Sequence, residues 1–198
     1  MCIAGCTPRE EQGEAAKKQP TTEAKKTTEP CPLQVEENLK KCDEGAAIFE
    51  KAKKANGGKD PNIVVGTPSS GFGAETDTAT GTITLSKNSD PCLATQDASF
   101  ELANLSRKKD FDKLDEQLAT CTISRDDYIK SNERIEYENI KTALKAFDSC
   151  KDKWGCTGKT ADFEWARGVK NFDDYFKNFL SNDHKEHYGK AWDSNCKK

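Results

Sequence analysis

No apolar run in these 198 residues approaches the roughly 20 that a helical membrane span requires. No stretch concentrates basic residues either. The 31 lysines and arginines are interleaved with 34 acids, leaving a formal net charge of -3, which removes the basic stripe that nucleic-acid binding needs. Cys-x-x-Cys is absent, and with it the zinc-ribbon pattern. Gly-x-Ser-x-Gly is absent, and there are only two histidines, His184 and His187, so serine triads and most histidine-based mechanisms lack their parts. No cysteine has a histidine beside it to generate a thiolate. Gly66-x-x-x-x-Gly71 imitates a phosphate loop, but Phe72-Gly73 stand where Lys and Ser/Thr would reach phosphate and magnesium. No repeat of fixed period marks a solenoid.

Cysteine, by contrast, is plentiful. Nine are spread from Cys2 to Cys196, a number that favours disulfides in an oxidising compartment. The short spacing of Cys150 and Cys156 suggests one bridge, and Cys92 with Cys121 would bracket a helix between them.

Residues 7–30 contain no Leu, Ile, Val, Met or aromatic side chain. Nothing there offsets the entropy of ordering, so residues 1–30 read as a disordered arm or interdomain linker, with a coil reach of about 25 to 30 Å. Residues 31–198 read as one α+β domain, mainly helical, with a small antiparallel sheet. Leu39, Cys42, Ala46 and Phe49 predict one amphipathic helix over 33–55, stopped by Asn56-Gly57-Gly58. Short strands are expected at 62–65 and 81–85, with 66–80 between them as a long hairpin loop or two irregular strands. A central helix follows over 89–111, then a helical piece over 110–118. Another helix opens at Ser124 with acids in its first turn and runs to about 147. A short helix over 160–169 and an aromatic helix from about 171 close the chain, with Phe172, Tyr175, Phe176, Phe179 and Leu180 forming its core face. His184 and His187 fall beside that face, where packing or capping suits them better than metal.

Two of these helices carry acids where apolar residues belong. At 100° per residue, Ala94, Ala98, Leu102 and Leu105 share one face, and Glu101 falls within it, with Asp97 and Asn104 one turn to either side. In the later helix Glu133 and Glu136 project between Ile129 and Ile140, with Asn132 beside Glu136. Buried carboxylates need a partner or open water. The group could be a solvated acidic cleft without chemistry, a hydrolytic pair in which one acid is protonated and one ionised, or a metal site or its remnant. Glu101, Glu133 and Glu136 are the candidate catalytic groups, and Asp97, Asn104 and Asn132 the candidate substrate contacts.

A helix, a strand, a Gly-rich loop, the strand 82–85, a helix centred on Phe100-Glu101-Leu102-Ala103-Asn104 and a second helix with an inward glutamate together resemble the gluzincin branch of zincin metallopeptidases. In that family His-Glu-x-x-His supplies two zinc ligands and the general base, and the next helix supplies a glutamate ligand. The resemblance implies that Glu101 keeps the place of the base, that Phe100 and Asn104 replace both histidines, and that Glu136 or Glu133 stands for the third ligand. Because phenylalanine cannot bind zinc and an amide binds it poorly, it implies a zincin-like helix pair without metal or other cofactor, as in degenerate members of secreted bacterial toxin and effector families. Ile3-Ala4-Gly5-Cys6 resembles the lipobox of bacterial lipoproteins, which implies a lipid anchor at Cys6. The expectation is a secreted, periplasmic or envelope-exposed bacterial protein that binds a protein or cell-envelope partner. The competing class is a hydrolase of cell-wall or peptide substrates with Glu101 as general acid or base.

Overall fold

The computed structural model describes residues 29–69, 72–87 and 89–197. The lipobox-like stretch, most of the arm and Gly71 lie outside them. Among the described residues the fold is α+β and mainly helical: seven α-helices, one 3-10 helix and a three-stranded sheet.

The first helical stretch is two helices, α1 (Pro32–Lys40) and α2 (Asp43–Ala55), rather than one. The break at Lys41-Cys42 has a covalent reason. Cys42 is extended at the N-cap of α2 and bonded to Cys150, a direction that its place within a continuous helix would not give. Val35, Leu39, Ile48, Phe49 and Ala52 of this pair enter the main core.

The sheet comprises β1 (Asn62–Gly66), β2 (Ala74–Asp77) and β3 (Thr82–Ser86) in the order β1-β3-β2. It is mixed rather than purely antiparallel. The stretch 66–80 contains a strand of its own, β2, which pairs antiparallel with β3, while β1 pairs parallel with β3 from Asn62↔Thr82 to Gly66↔Ser86. The β2–β3 turn is closed by the Asp77 side chain, which accepts from the amides of Ala79 and Thr80, and by Gly81, whose φ of 71° is in the left-handed region. Alternation puts Ile83 and Leu85 inward from the middle strand, both fully buried.

α3 (Pro91–Ser106) is the axis of the fold. Asp90 caps it, accepting from the amides of Cys92 and Leu93, with Pro91 in the first turn. It packs against α1, α2, β2 and β3, and against α5 (Arg125–Cys150). Twelve of its sixteen residues are buried, so its polar groups must find partners inside the protein. Between α3 and α5 runs α4 (Lys108–Ala119), and Ser124 caps α5 through the amide of Asp127. The expected short helix is a 3-10 turn, Glu164–Gly168. The expected last helix is interrupted, giving α6 (Phe172–Asn178) and α7 (Asn182–Cys196), because Ser181 turns extended and caps α7 through the amide of His184. Phe179, at the break, is exposed instead of packed in the core.

Among the described residues three disulfides tie these pieces: Cys42–Cys150, Cys92–Cys156 and Cys121–Cys196. Neither expected pairing occurs. Cys150 ends α5 against α2, and the turn through Gly155, with its φ of 71°, carries Cys156 away to the start of α3. Cys121, at the end of α4, meets the last turn of α7. Each bridge spans 64 residues or more, and spacing alone carries no information about such partners.

Candidate functional site: an acidic cleft beside α3

Glu101 and Glu136 meet across the space between α3 and α5, and Asn104 is the link. Its amide nitrogen lies 3.3 Å from Glu101 Oε2 and 3.4 Å from Glu136 Oε2, donating to both. Asn104 Oδ1 accepts from Asn139 Nδ2 at 2.7 Å, which fixes which end of the amide faces the acids. Thr76, on the edge strand β2, donates to Glu101 Oε2 at 2.6 Å, and Tyr188 of α7 donates to Glu136 Oε1 at 2.8 Å. Glu101, Asn104 and Glu136 are each 7% exposed. Burial pushes the Glu101 carboxyl up to about 7, opposed by the Thr76 and Asn104 bonds and reinforced by the charge of Glu136. Burial raises Glu136 as well, with the Tyr188 bond opposing it.

Glu133 lies apart from this pair and is fully buried. Its Oε2 accepts from Tyr175 at 2.7 Å, and its Oε1 stands 3.3 Å from His184 Nδ1. That contact raises the basicity of His184 against the opposing effect of burial. Asn132 turns back on its own helix, donating to the Tyr128 carbonyl at 2.9 Å, and so does not join the network of Glu136. Asp97 lies beside a residue far along the chain, Asp162, and the two carboxyls influence one another's protonation. Burial first, and then the charge of Asp162, holds Asp97 up to about 8. Gly73 lets the β2 loop come down on this pair. A Cβ there would lie 2.5 Å from Asp97 Oδ2.

Most of these groups, but not the fully buried Glu133, open onto one cavity of about 750 Å³, within the size range of small-molecule sites. Asp97, Glu101, Asn104, Asn132 and Glu136 line it; so do Asp162 and both histidines. Among the described residues the one trio of metal-ligand side chains drawn close together is Cys42, Glu44 and Cys150, and two of those are joined as a disulfide. No family model, no curated protein and no solved structure matches the chain. The reading of the cleft rests on its own geometry.

Five of its polar members were not legible as such in the sequence: Thr76, Asp162, Tyr175, His184 and Tyr188. Spacing on α7 offered one signal, since His184 and Tyr188 are four residues apart and share a helical face. The other three sit on a strand edge, in a loop and on a short helix, where period is uninformative.

Proposed function

We propose that the chain is a secreted or envelope-exposed protein that acts by binding, taking its ligand in the acidic cleft between α3, β2 and the C-terminal helices. The frame is that of a gluzincin whose metal-binding positions have been given over to structure. One observation carries the reading. Asn104, where the resemblance implies a zinc ligand, spends its amide on Glu101 and Glu136 together. Phe100, at the other ligand position, has no donor atom and packs its ring 4.9 Å from that of Phe163. The two acids that would serve base and metal therefore hold α3 to α5, β2 and α7 through neutral donors, and the cleft they leave is a shaped, acidic, aromatic-walled surface. The three disulfides support an oxidising compartment, and no described helix is long and apolar enough to cross a membrane.

A hydrolase remains the second reading, favoured by Glu101, which burial brings to about 7, the range suited to a general acid or base at neutral pH. Two measurements separate the readings. Incubation with peptide and peptidoglycan libraries, read by mass spectrometry, should give no product that Glu101→Gln abolishes; a product lost by orders of magnitude in that variant establishes the hydrolase. Ligand-observed NMR with a diverse fragment library should find binders that are lost in Trp165→Ala. A library that does not distinguish the variant from the wild type overturns the binding reading.

A further inference from the structure

We infer that the ligand of this cleft is an organic cation, an ammonium or quaternary ammonium group seated at the Asp97–Asp162 carboxyls with its alkyl surface against the surrounding rings. This rests on the cleft being the binding surface and adds the chemistry of what enters it.

The first observation is charge. Six acids line the cavity and, among the described residues, no lysine or arginine does. Elsewhere the protein pairs its acids readily: Asp60 with Lys53, Asp90 with Lys159, Asp148 with Arg167. Asp97, 9% exposed, has another carboxyl for its partner. Two neighbouring acids lining one cavity, with no described lysine or arginine beside them, make a place that a positive charge would complete.

The second observation is aromatic surface. Of the four large hydrophobic side chains exposed among the described residues, Phe72, Trp165 and Phe179 line this cavity. Their rings are ordered by neighbours: Trp165 lies nearly parallel to Tyr175 and to Phe179, 5.9 Å from each between centroids, and Phe72 meets His184 edge-on at 5.3 Å. Phe100 and Phe163 are on the same two segments as Asp97 and Asp162 and also line the cavity. Ring faces attract a cation through their quadrupoles, and most strongly a soft, weakly hydrated one such as an alkylammonium. A bare divalent ion would need several oxygens at coordination distance. It would make no use of the rings or of a volume this large.

The test is a matched pair of probes of nearly equal shape, choline and its neutral counterpart 3,3-dimethylbutan-1-ol, titrated into the full chain while the indole NMR signal of Trp165 is followed. Choline should shift that signal saturably, with an affinity about tenfold or more above the alcohol's. Asp162→Asn, at an exposed position, should weaken choline about tenfold, leave the alcohol within about twofold, and leave the melting temperature unchanged. Trp165→Ala, monitored at the Asp162 amide, should weaken both. Equal affinity for the two probes overturns the inference, as does no shift with choline up to about 10 mM. If neutral fragments or a methyl glycoside bind the cleft when choline does not, the cation inference fails and the binding reading stands. If nothing perturbs Trp165, both fail.

Discussion

The two sides of α3 are built from the same sixteen residues and solve burial in opposite ways. One side, through Ala94, Ala98, Leu102 and Leu105, joins Leu39, Phe49 and Phe147 in a dry core fastened by Cys42–Cys150 and Cys92–Cys156. The other carries Asp97, Glu101 and Asn104 into a cavity, where hydrogen bonds replace apolar contact. The first side gains from removing water. The second tolerates buried acids because burial raises their hold on protons and their oxygens are met by donors. Fixing one side covalently allows the other to hold groups that would otherwise drive it open.

Breaking the dry side should cost most. Replacing Cys42 and Cys150 together by serine releases a loop of 108 residues, and the loss of stability should be about 2 to 5 kcal/mol by denaturant titration. On the acidic side the largest effect should be pH dependence. Glu101 binds its proton up to about 7 when folded, against an ordinary 4.5. Its contribution is fully present below about 4.5, where both states are protonated. It declines as pH rises toward 7, because the unfolded chain releases the proton first. The decline attributable to this residue should be about 3 kcal/mol, and Glu101→Gln should remove it from a plot of unfolding free energy against pH. Asp97, raised to about 8, acts in the same direction and remains in the variant as an internal control. Tyr188→Phe takes one donor from Glu136 and should cost about 1 to 2 kcal/mol, more in alkaline than in acidic solution, because the hydroxyl favours the ionised carboxylate. Lys190→Ala removes an exposed ion pair with Glu186 and should change stability by less than about 0.5 kcal/mol. A loss there as large as that of Tyr188→Phe would erase the contrast between the two sides.

What could be read in advance follows the same division. Local rules placed the cap at Ser124 and the strands around Ile63 and Ile83, and helical period put Glu101, Glu133 and Glu136 inside the protein. Period defines a face but not what lies opposite it. That Glu136 meets Tyr188, that Glu133 meets Tyr175, and that Asp97 meets Asp162 depends on chain returning from 42 to 65 residues away. The parallel pairing of β1 with β3 was hidden for a related reason: β2 is short and polar, and its pairing with β3 and its place beside α3, rather than its own pattern, mark it as a strand. The breaks at Cys42 and Ser181 were hidden because each sits inside a run whose apolar spacing continues across it.

The third bridge differs from the other two in where it sits. Cys42, Cys150, Cys92 and Cys156 are all buried, whereas Cys121 is exposed and Cys196 is only partly covered. A small reductant diffusing up to the molecule therefore reaches Cys121–Cys196 first. Once that clasp is cut, the outer end of α7 is tied down by the Trp192 indole on the Ile123 carbonyl and by Arg125 with Asp193. Farther along the same helix sit Tyr188 and His184, which shield Glu136 and Glu133. Solvent reaching beneath a loosened α7 would relieve the burial that raises the Glu101 and Glu136 carboxyls, which links the rim disulfide to the charge of the hollow.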